Sequence, residues 1–102
     1  MAYLFTYGTL QDVQVQHYIF GRELEGKPDV LPGFQKQENA VYGRYPLVVK
    51  TNDAKDGVAG MAYLVTDEDL SKADIYETSA YTRKLHTLVS GLEAWLYVKN
   101  SD

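Results

Sequence analysis

The sequence contains no cysteine, no long hydrophobic run and no concentration of positive charge. Without cysteine the chain cannot form disulfides, use a thiolate nucleophile or bind zinc through sulfur, so packing alone must hold the fold together. The apolar N-terminal stretch has no basic segment before it and is far shorter than the roughly 20 residues that a membrane-spanning helix needs. We therefore expect a buried first strand in a cytoplasmic protein without a membrane partner.

Charge and length limit the function classes further. Ten Lys and Arg residues stand against 14 Asp and Glu residues, which gives a net charge of −4, and Arg83-Lys84 is the only adjacent basic pair. Nucleic-acid-binding proteins concentrate positive charge on one face, so no nucleic-acid partner is expected and a small molecule or a protein is favoured. The 102 residues, 45% of them hydrophobic, predict one globular domain over residues 1–102.

Apolar periodicity and turn residues predict two helices and several strands. Aromatic and smaller residues alternate in residues 2–7, where we expect the first strand. Asp12 can cap a short helix that Gly21 ends, and Thr66 can begin a second helix with Asp69 completing a capping box. Further strands are predicted at residues 34–43, 44–50 and 58–65, and a hairpin at residues 81–89 and 93–99.

The order of these elements predicts the fold class. Strands and helices do not alternate regularly, which favours an α+β fold with a mixed, mostly antiparallel sheet. Residues 58–65 are apolar on both faces and are therefore expected to form a central strand, in which Gly60 indicates a bulge or a close approach of another backbone. Since the first strand is also apolar, we expect the sheet to curl into a partial β-barrel flanked by short helices.

Glu77 is an acidic residue on a face that should be buried. Each helical residue advances about 100°, which puts Glu77 on the same face as Leu70 and Ala73. An unpaired buried carboxylate is unfavourable. Either the helix frays before Glu77 and the side chain reaches water, or the carboxyl group lies in a cleft, where perturbed carboxylates gather at working sites.

The segment Tyr7-Gly8-Thr9-Leu10 also allows two interpretations. A glycine turn after a strand can expose consecutive backbone N–H groups that bind a carboxylate or an oxyanion. It can equally be an ordinary turn, and taken alone the ordinary turn is favoured. His17 and His86 have no carboxylate at metal-ligand spacing and are interpreted as surface or core histidines. Asp74 is interpreted as a partner of Glu77 or as a solvated helix residue.

Five segments, in order along almost the whole chain, resemble the γ-glutamylcyclotransferase-like family, and in particular its γ-glutamylamine cyclotransferase branch and short bacterial homologues. The first segment contains the Tyr-Gly-x-Leu signature. The fourth is similar to the family's Asp-x-x-Glu-Gly segment followed by Tyr-x-Arg. The segments are YLFTYGTL at 3–10, YPLVV at 45–49, GMAYLV at 60–65, LSKADIYETSAYTR at 70–83 and AWLYV at 94–98.

The resemblance implies a compact, mixed β-barrel with flanking helices and a cavity between the glycine loop and the glutamate. It implies an enzyme that releases 5-oxoproline from a γ-glutamyl amine or amide without a metal or an organic cofactor. Glu77 matches the catalytic glutamate, which would act as general base and acid. The residues that match the substrate-binding positions are Tyr7, Gly8, Thr9, Leu10, Tyr45, Pro46 and Tyr81. Arg83 is expected to be structural.

One position departs from the family pattern, since Thr78 replaces the glycine that usually follows the glutamate. A β-branched residue does not readily adopt a positive φ, so we expect a turn of a different shape after Glu77. Two other functions remain open at this point: a non-catalytic small-molecule-binding member of the same fold, and a protein-interaction domain, which the nine tyrosines favour. The protein is expected to be a monomer or a small homo-oligomer.

Overall fold

The structure is a computed structural model that describes the backbone of residues 1–41 and 45–99 and their side chains, except those of residues 39–41, 45 and 46. Seven strands and two helices make up the described chain. The strands are β1 (Ala2–Thr6), β2 (Gly26–Pro32), β3 (Phe34–Val41), β4 (Tyr45–Lys50), β5 (Gly57–Val65), β6 (Tyr81–Thr87) and β7 (Glu93–Lys99); the helices are α1 (Val13–Phe20) and α2 (Asp67–Glu77).

The strands form two separate sheets. Five of them pair in the order β2-β5-β1-β7-β6, and β3 and β4 form a two-stranded sheet. All pairs are antiparallel except β1 and β7, which run parallel. The α+β class, the mostly antiparallel sheet, the central position of residues 58–65 and the β6–β7 hairpin are therefore confirmed.

The expected β-barrel is wrong, because no ladder joins the two edge strands, β2 and β6, within the described residues. A barrel needs a continuous ladder between its first and last strands. The turn after β6 nevertheless touches β2. The Val89 N–H donates to the Val30 carbonyl at 2.9 Å, and the Ser90 hydroxyl donates to Asp29 at 2.6 Å. The five-stranded sheet is thus curved but open.

Helix α1 begins and ends where the sequence predicts. The Asp12 carboxylate accepts a hydrogen bond from the Gln14 N–H at 2.8 Å, and Gly21 ends the helix with φ of 76°. Apolar spacing alone would place Tyr18 toward the core, but its side chain is 86% exposed. Gln16 is buried instead: its amide donates to the Leu10 carbonyl at 2.8 Å and accepts from the N–H of residue 24 at 2.9 Å.

Helix α2 is anchored firmly at its first turn. The predicted capping box between Thr66 and Asp69 is present. Arg22 donates to both carboxylate oxygens of Asp69, at 3.0 and 2.6 Å, and holds the pKa of that carboxyl group down to about 2. Leu70 and Ala73 then face the core. Among the described residues, no helix is both long and apolar enough to cross a membrane.

The core consists of two clusters, one on each face of the five-stranded sheet. Phe5 of β1 packs with Phe34 and Val48 of the β3–β4 sheet. Leu4, the preceding residue of β1, packs with residues of both helices, including Leu70. Because neighbouring strand residues point to opposite faces, β1 contributes to both clusters. The end of β1 is therefore held between the helices and the β3–β4 sheet.

The close approach expected at Gly60 is confirmed. A Cβ atom at this position would lie 2.7 Å from Cζ of Phe5 and would also collide with the carbonyl oxygen of Thr6. Both neighbours belong to β1, the partner of β5. The glycine is thus needed for the two central strands to pack at this point.

Gly60→Ala should destabilise the protein by about 1–3 kcal/mol, since an added methyl group in a filled core forces neighbours to shift. Urea unfolding followed by circular dichroism measures the free energy of unfolding. Ala59→Ser is a matched control, because Ala59 is the neighbouring residue of β5 on an exposed position. Equal stability of the Gly60→Ala variant and the parent protein would show that the approach of β1 and β5 is looser than described.

Candidate active site

The loop after β1 is fixed by local hydrogen bonds. Residues Thr9–Gln11 form a short 3-10 turn that begins at Gly8. The Gly8 carbonyl accepts from both the backbone N–H and the side-chain amide of Gln11, at 3.1 and 3.3 Å. Leu10 is 3% exposed and belongs to the helix-side core cluster. The Leu10 side chain therefore anchors the loop in the core, whereas Thr9 is exposed.

The loop carries backbone donors that its own fold does not use. The first N–H groups of a helical turn have no partner within that turn. Those of Thr9 and Leu10 have no hydrogen-bond acceptor in the described part of the chain, and the Gly8 N–H makes only a long contact of 3.5 Å with the Thr6 hydroxyl. Such a group of donors is suited to an anionic group of a ligand.

Glu77 is the last residue of α2, which continues past Tyr76 instead of fraying before the glutamate. The Glu77 side chain is half-buried. Burial disfavours the charged form and raises the pKa of its carboxyl group from 4.5 to about 7. At neutral pH the carboxyl group is therefore present in both protonation states, which suits a group that accepts a proton and later returns it.

The glycine loop and the end of α2 are in contact. The Thr9 hydroxyl and the Tyr76 hydroxyl lie 3.1 Å apart, although the two residues are separated by 67 positions. The charge of Glu77 also contributes to the raised pKa of Tyr7. The loop and the carboxyl group that the sequence singled out thus belong to one region of the structure.

Tyr7 is a core residue that lies next to this region. It is 6% exposed, and its hydroxyl donates to the backbone carbonyl of Tyr97 at 2.6 Å. Burial, and then the nearby Tyr81 and Glu77, raise the pKa of the Tyr7 phenol. Since its proton is already used in a short hydrogen bond, Tyr7 is suited to shaping the site and not to donating a proton.

A polar cluster lies next to Glu77, one helical turn back. Asp74 accepts a hydrogen bond from the Tyr97 hydroxyl at 2.6 Å and an ion pair from Nε of Arg83 at 3.2 Å. The guanidinium of Arg83 also stacks on Trp95, 4.7 Å from the ring centroid. Asp74 is therefore a bonded residue and not merely a solvated one. The sequence analysis did not identify Tyr97 and Trp95 as members of this cluster. Both lie on β7, and the residue pattern of a single strand does not show which helix residue it will contact.

This cluster borders an open cavity of about 350 Å³. The cavity begins at the end of α2 and extends along β6 and β7. Thr78 and Tyr81, which lie on either side of the turn after Glu77, are part of its wall. The lining residues are Asp74, Thr78, Tyr81, Thr82, Arg83, Trp95 and Tyr97.

The turn after Glu77 keeps a backbone conformation that suits glycine. Thr78 has φ of 63° and ψ of −170°, in a region that is essentially restricted to glycine. The expectation that a β-branched residue would avoid positive φ here is therefore wrong. The N–H of Thr78 donates to the Asp74 carbonyl and closes the helix, so the helix end is retained and threonine carries the strain.

The remaining sequence candidates lie elsewhere. The side chains of Tyr45 and Pro46 are outside the described part of the chain. His86 packs edge-to-face on Phe34, 5.1 Å between ring centroids, and burial lowers its pKa. His17 is exposed in the last turn of α1.

A half-buried carboxyl group beside a glycine loop, on a mixed α+β fold, defines a candidate acid–base site. The family described as gamma-glutamyl cyclotransferase, AIG2-like, matches residues 4–102, and the chain belongs to this family. A comparison with curated proteins gave no significant match.

Solved structures share the fold. Two solution structures of Arabidopsis thaliana proteins are each 25% identical to the chain with a TM-score of 0.82; the matches cover 96% and 98% of this chain but 61% and 69% of theirs. The crystal structure of an uncharacterized protein from Pyrococcus horikoshii is 21% identical with a TM-score of 0.72, covering all of this chain and 80% of its own. The last similarity concerns the fold alone.

Glu77→Gln should remove a pH dependence of stability. The folded chain binds the Glu77 proton more tightly than the unfolded chain, since the pKa is about 7 instead of 4.5. This stabilising contribution is complete below the unfolded pKa and is lost as the pH rises through about 7. Between about pH 5 and pH 8, the wild type should lose about 1–3 kcal/mol more than the variant, a range that allows for partial exposure.

Urea unfolding at a series of pH values measures this difference. Glutamine does not titrate, so the curve of the variant reports only the other ionisable groups. Two parallel curves would mean that the Glu77 carboxyl group titrates as it does in water and is not buried.

Proposed function

We propose that the protein is a cyclotransferase that releases 5-oxoproline from a γ-glutamyl amine or amide, with Glu77 as general base and acid. The observation that carries the proposal is the carboxyl group of Glu77, whose pKa is about 7, beside the loop at residues 7–10. Family membership supports the reaction class. The small volume of the neighbouring cavity supports a small-molecule substrate.

The reaction needs proton transfer more than it needs a cofactor. The α-nitrogen of the γ-glutamyl group attacks its own γ-carbonyl carbon, a bond to that carbon forms, and the bond from the carbon to the leaving nitrogen breaks. A substrate that starts as an α-ammonium ion loses two protons from this nitrogen, and the leaving nitrogen gains two. One carboxylate can carry both protons in turn, because it alternates between base and acid.

Holding the substrate in a folded conformation supplies much of the remaining acceleration. Ring closure is intramolecular, so the enzyme must mainly keep the α-nitrogen near the γ-carbonyl. Backbone N–H groups of Gly8, Thr9 and Leu10 would bind the α-carboxylate or the oxyanion of the tetrahedral intermediate. Tyr7 and Tyr81 would form the walls. By the family resemblance, Tyr45 and Pro46 would complete the binding site.

Glu77→Gln tests the assignment, since glutamine keeps the size and hydrogen-bonding capacity of the side chain but cannot take a proton. We expect the release of 5-oxoproline from γ-glutamyl amines and amides to fall about 10²–10⁴-fold, the usual contribution of a positioned acid–base group. Liquid chromatography of the product measures the rate.

Glu93→Gln is a matched control. Glu93 is exposed and lies at the opposite end of β7 from the site, so this variant should keep the parent rate. Undiminished turnover by Glu77→Gln would remove Glu77 from the mechanism. Binding of a γ-glutamyl amine without any 5-oxoproline from the wild type would favour a non-catalytic binding protein.

The pH profile offers a separate test. If Glu77 must be deprotonated to accept the first proton, kcat/KM should fall tenfold per pH unit below about 7, in addition to any decline caused by protonation of the substrate amine. The residual activity of Glu77→Gln should show the substrate-dependent decline only. Identical profiles for the two proteins would indicate that a different group sets the protonation state of the enzyme.

A further inference from the structure

The backbone of Thr78 adopts a conformation that is strained for threonine and would not be strained for glycine. A residue with a side chain in this region of φ and ψ costs of order 1–3 kcal/mol, and such strain persists mainly where function requires it. The residue directly follows Glu77 and ends α2. A glycine at position 78 would adopt the same backbone without this strain, so the threonine side chain itself requires an explanation.

Thr78 lies where the leaving group of the proposed reaction would be bound. The carboxyl group of Glu77 must come within hydrogen-bond reach of the nitrogen that departs. When the glycine loop holds the α-carboxylate, the leaving nitrogen and its substituent form the end of the substrate farther from that loop. The cavity that Thr78 lines starts at the end of α2 and has Tyr81 on its wall, so it offers room for this substituent.

The cavity contains hydrogen-bond donors without acceptors. The Thr78 hydroxyl accepts only a long contact of 3.4 Å from the Ala80 N–H, and its proton has no acceptor among the described residues. Arg83 uses Nε for Asp74, while its terminal nitrogens have no hydrogen-bond acceptor in the described ranges. The Thr78 hydroxyl and the terminal nitrogens of Arg83 can therefore donate to a ligand atom that accepts a hydrogen bond, such as a hydroxyl oxygen.

We propose that Thr78 is a specificity-determining residue, whose hydroxyl binds an oxygen atom on the leaving amine and so favours hydroxylated amines over purely aliphatic ones. This inference rests on the proposed cyclotransferase reaction, because the leaving amine is defined by it. The strain at Thr78 is then retained because glycine would remove the donor.

An isosteric pair of substrates tests the proposal. γ-Glutamyl ethanolamide and γ-glutamyl propylamide differ only in a terminal hydroxyl against a methyl group. The wild type should prefer the ethanolamide by about 2–10-fold in kcat/KM, the range that one hydrogen bond supplies. Thr78→Val keeps the β-branched shape without the hydroxyl and should bring the ratio close to one, whereas Thr78→Ser should restore it.

Two further variants separate specificity from structure. Thr78→Gly should also lose the preference, but because it removes the strain it should raise Tm by a few degrees, given about 4–8 °C per kcal/mol for a domain of this size. If Thr78→Val does not fold, Thr78→Gly replaces it as the variant without the hydroxyl. Thr87→Val alters an exposed residue at the far end of β6 and should keep both the ratio and the parent rate.

A binding measurement makes the test independent of turnover. Calorimetry gives the dissociation constants of the two compounds for Glu77→Gln and for Glu77→Gln/Thr78→Val, and the ratio of the two constants is compared between these variants. A preference that persists after Thr78→Val, in rate or in binding, would overturn the role of Thr78 while leaving the cyclotransferase proposal intact. The role of Thr78 would also be overturned if the wild type turned over both compounds at equal rates and Glu77→Gln bound both equally. Absence of 5-oxoproline from the wild type would overturn the proposed function, and the binding ratio would still decide whether Thr78 recognises the hydroxyl.

Discussion

The ion pair between Arg22 and Asp69 sets the place where α2 begins, and the rest of the site depends on it. Asp69 also completes the capping box with Thr66, so one carboxylate joins the start of α2 to the segment after α1. Removing one partner of such a pair leaves a buried charge unpaired. With its first turn fixed and Ala73 in the core, the helix can deliver Glu77 to a half-buried position instead of letting it turn toward water.

The sheet order supplies the other half of the site. Strand β1 lies between β5 and β7, so its C-terminal end cannot move without disturbing both neighbours. The hydrogen bond from Tyr7 to the Tyr97 carbonyl extends this connection just beyond the strand. The loop that follows is therefore positioned by long-range pairing, whereas its own contacts are short-range. That combination gives backbone donors a fixed direction relative to α2, which is what electrostatic stabilisation of a developing charge requires.

Most local signals in the sequence were reliable, although apolar spacing misplaced Tyr18 and the expected avoidance of positive φ at Thr78 was wrong. Long-range pairing was not visible in the sequence. The caps of both helices, the strand at residues 58–65 and the close approach at Gly60 follow from nearest neighbours and periodicity. Strand β2 was missed because Pro28 and Pro32 discourage a strand assignment; it occupies an edge of the sheet, where proline is tolerated. The absence of barrel closure, like the partnership of Asp74 with β7, depends on which strands meet in space. The family resemblance supplied Glu77 as a catalytic candidate, and periodicity alone left its burial undecided.

Two unfavourable features occupy adjacent residues of the candidate site. Burial of Glu77 disfavours its charged form, and Thr78 holds a backbone conformation that suits glycine. Neither would persist if the helix end were free to relax, because rotation at this turn would relieve both. The N–H of Thr78, bonded to the Asp74 carbonyl, opposes that rotation, and Asp74 is itself held by Tyr97 and Arg83. The polar cluster on β6 and β7 therefore stabilises a strained helix end, and burial at this helix end raises the pKa of the Glu77 carboxyl group.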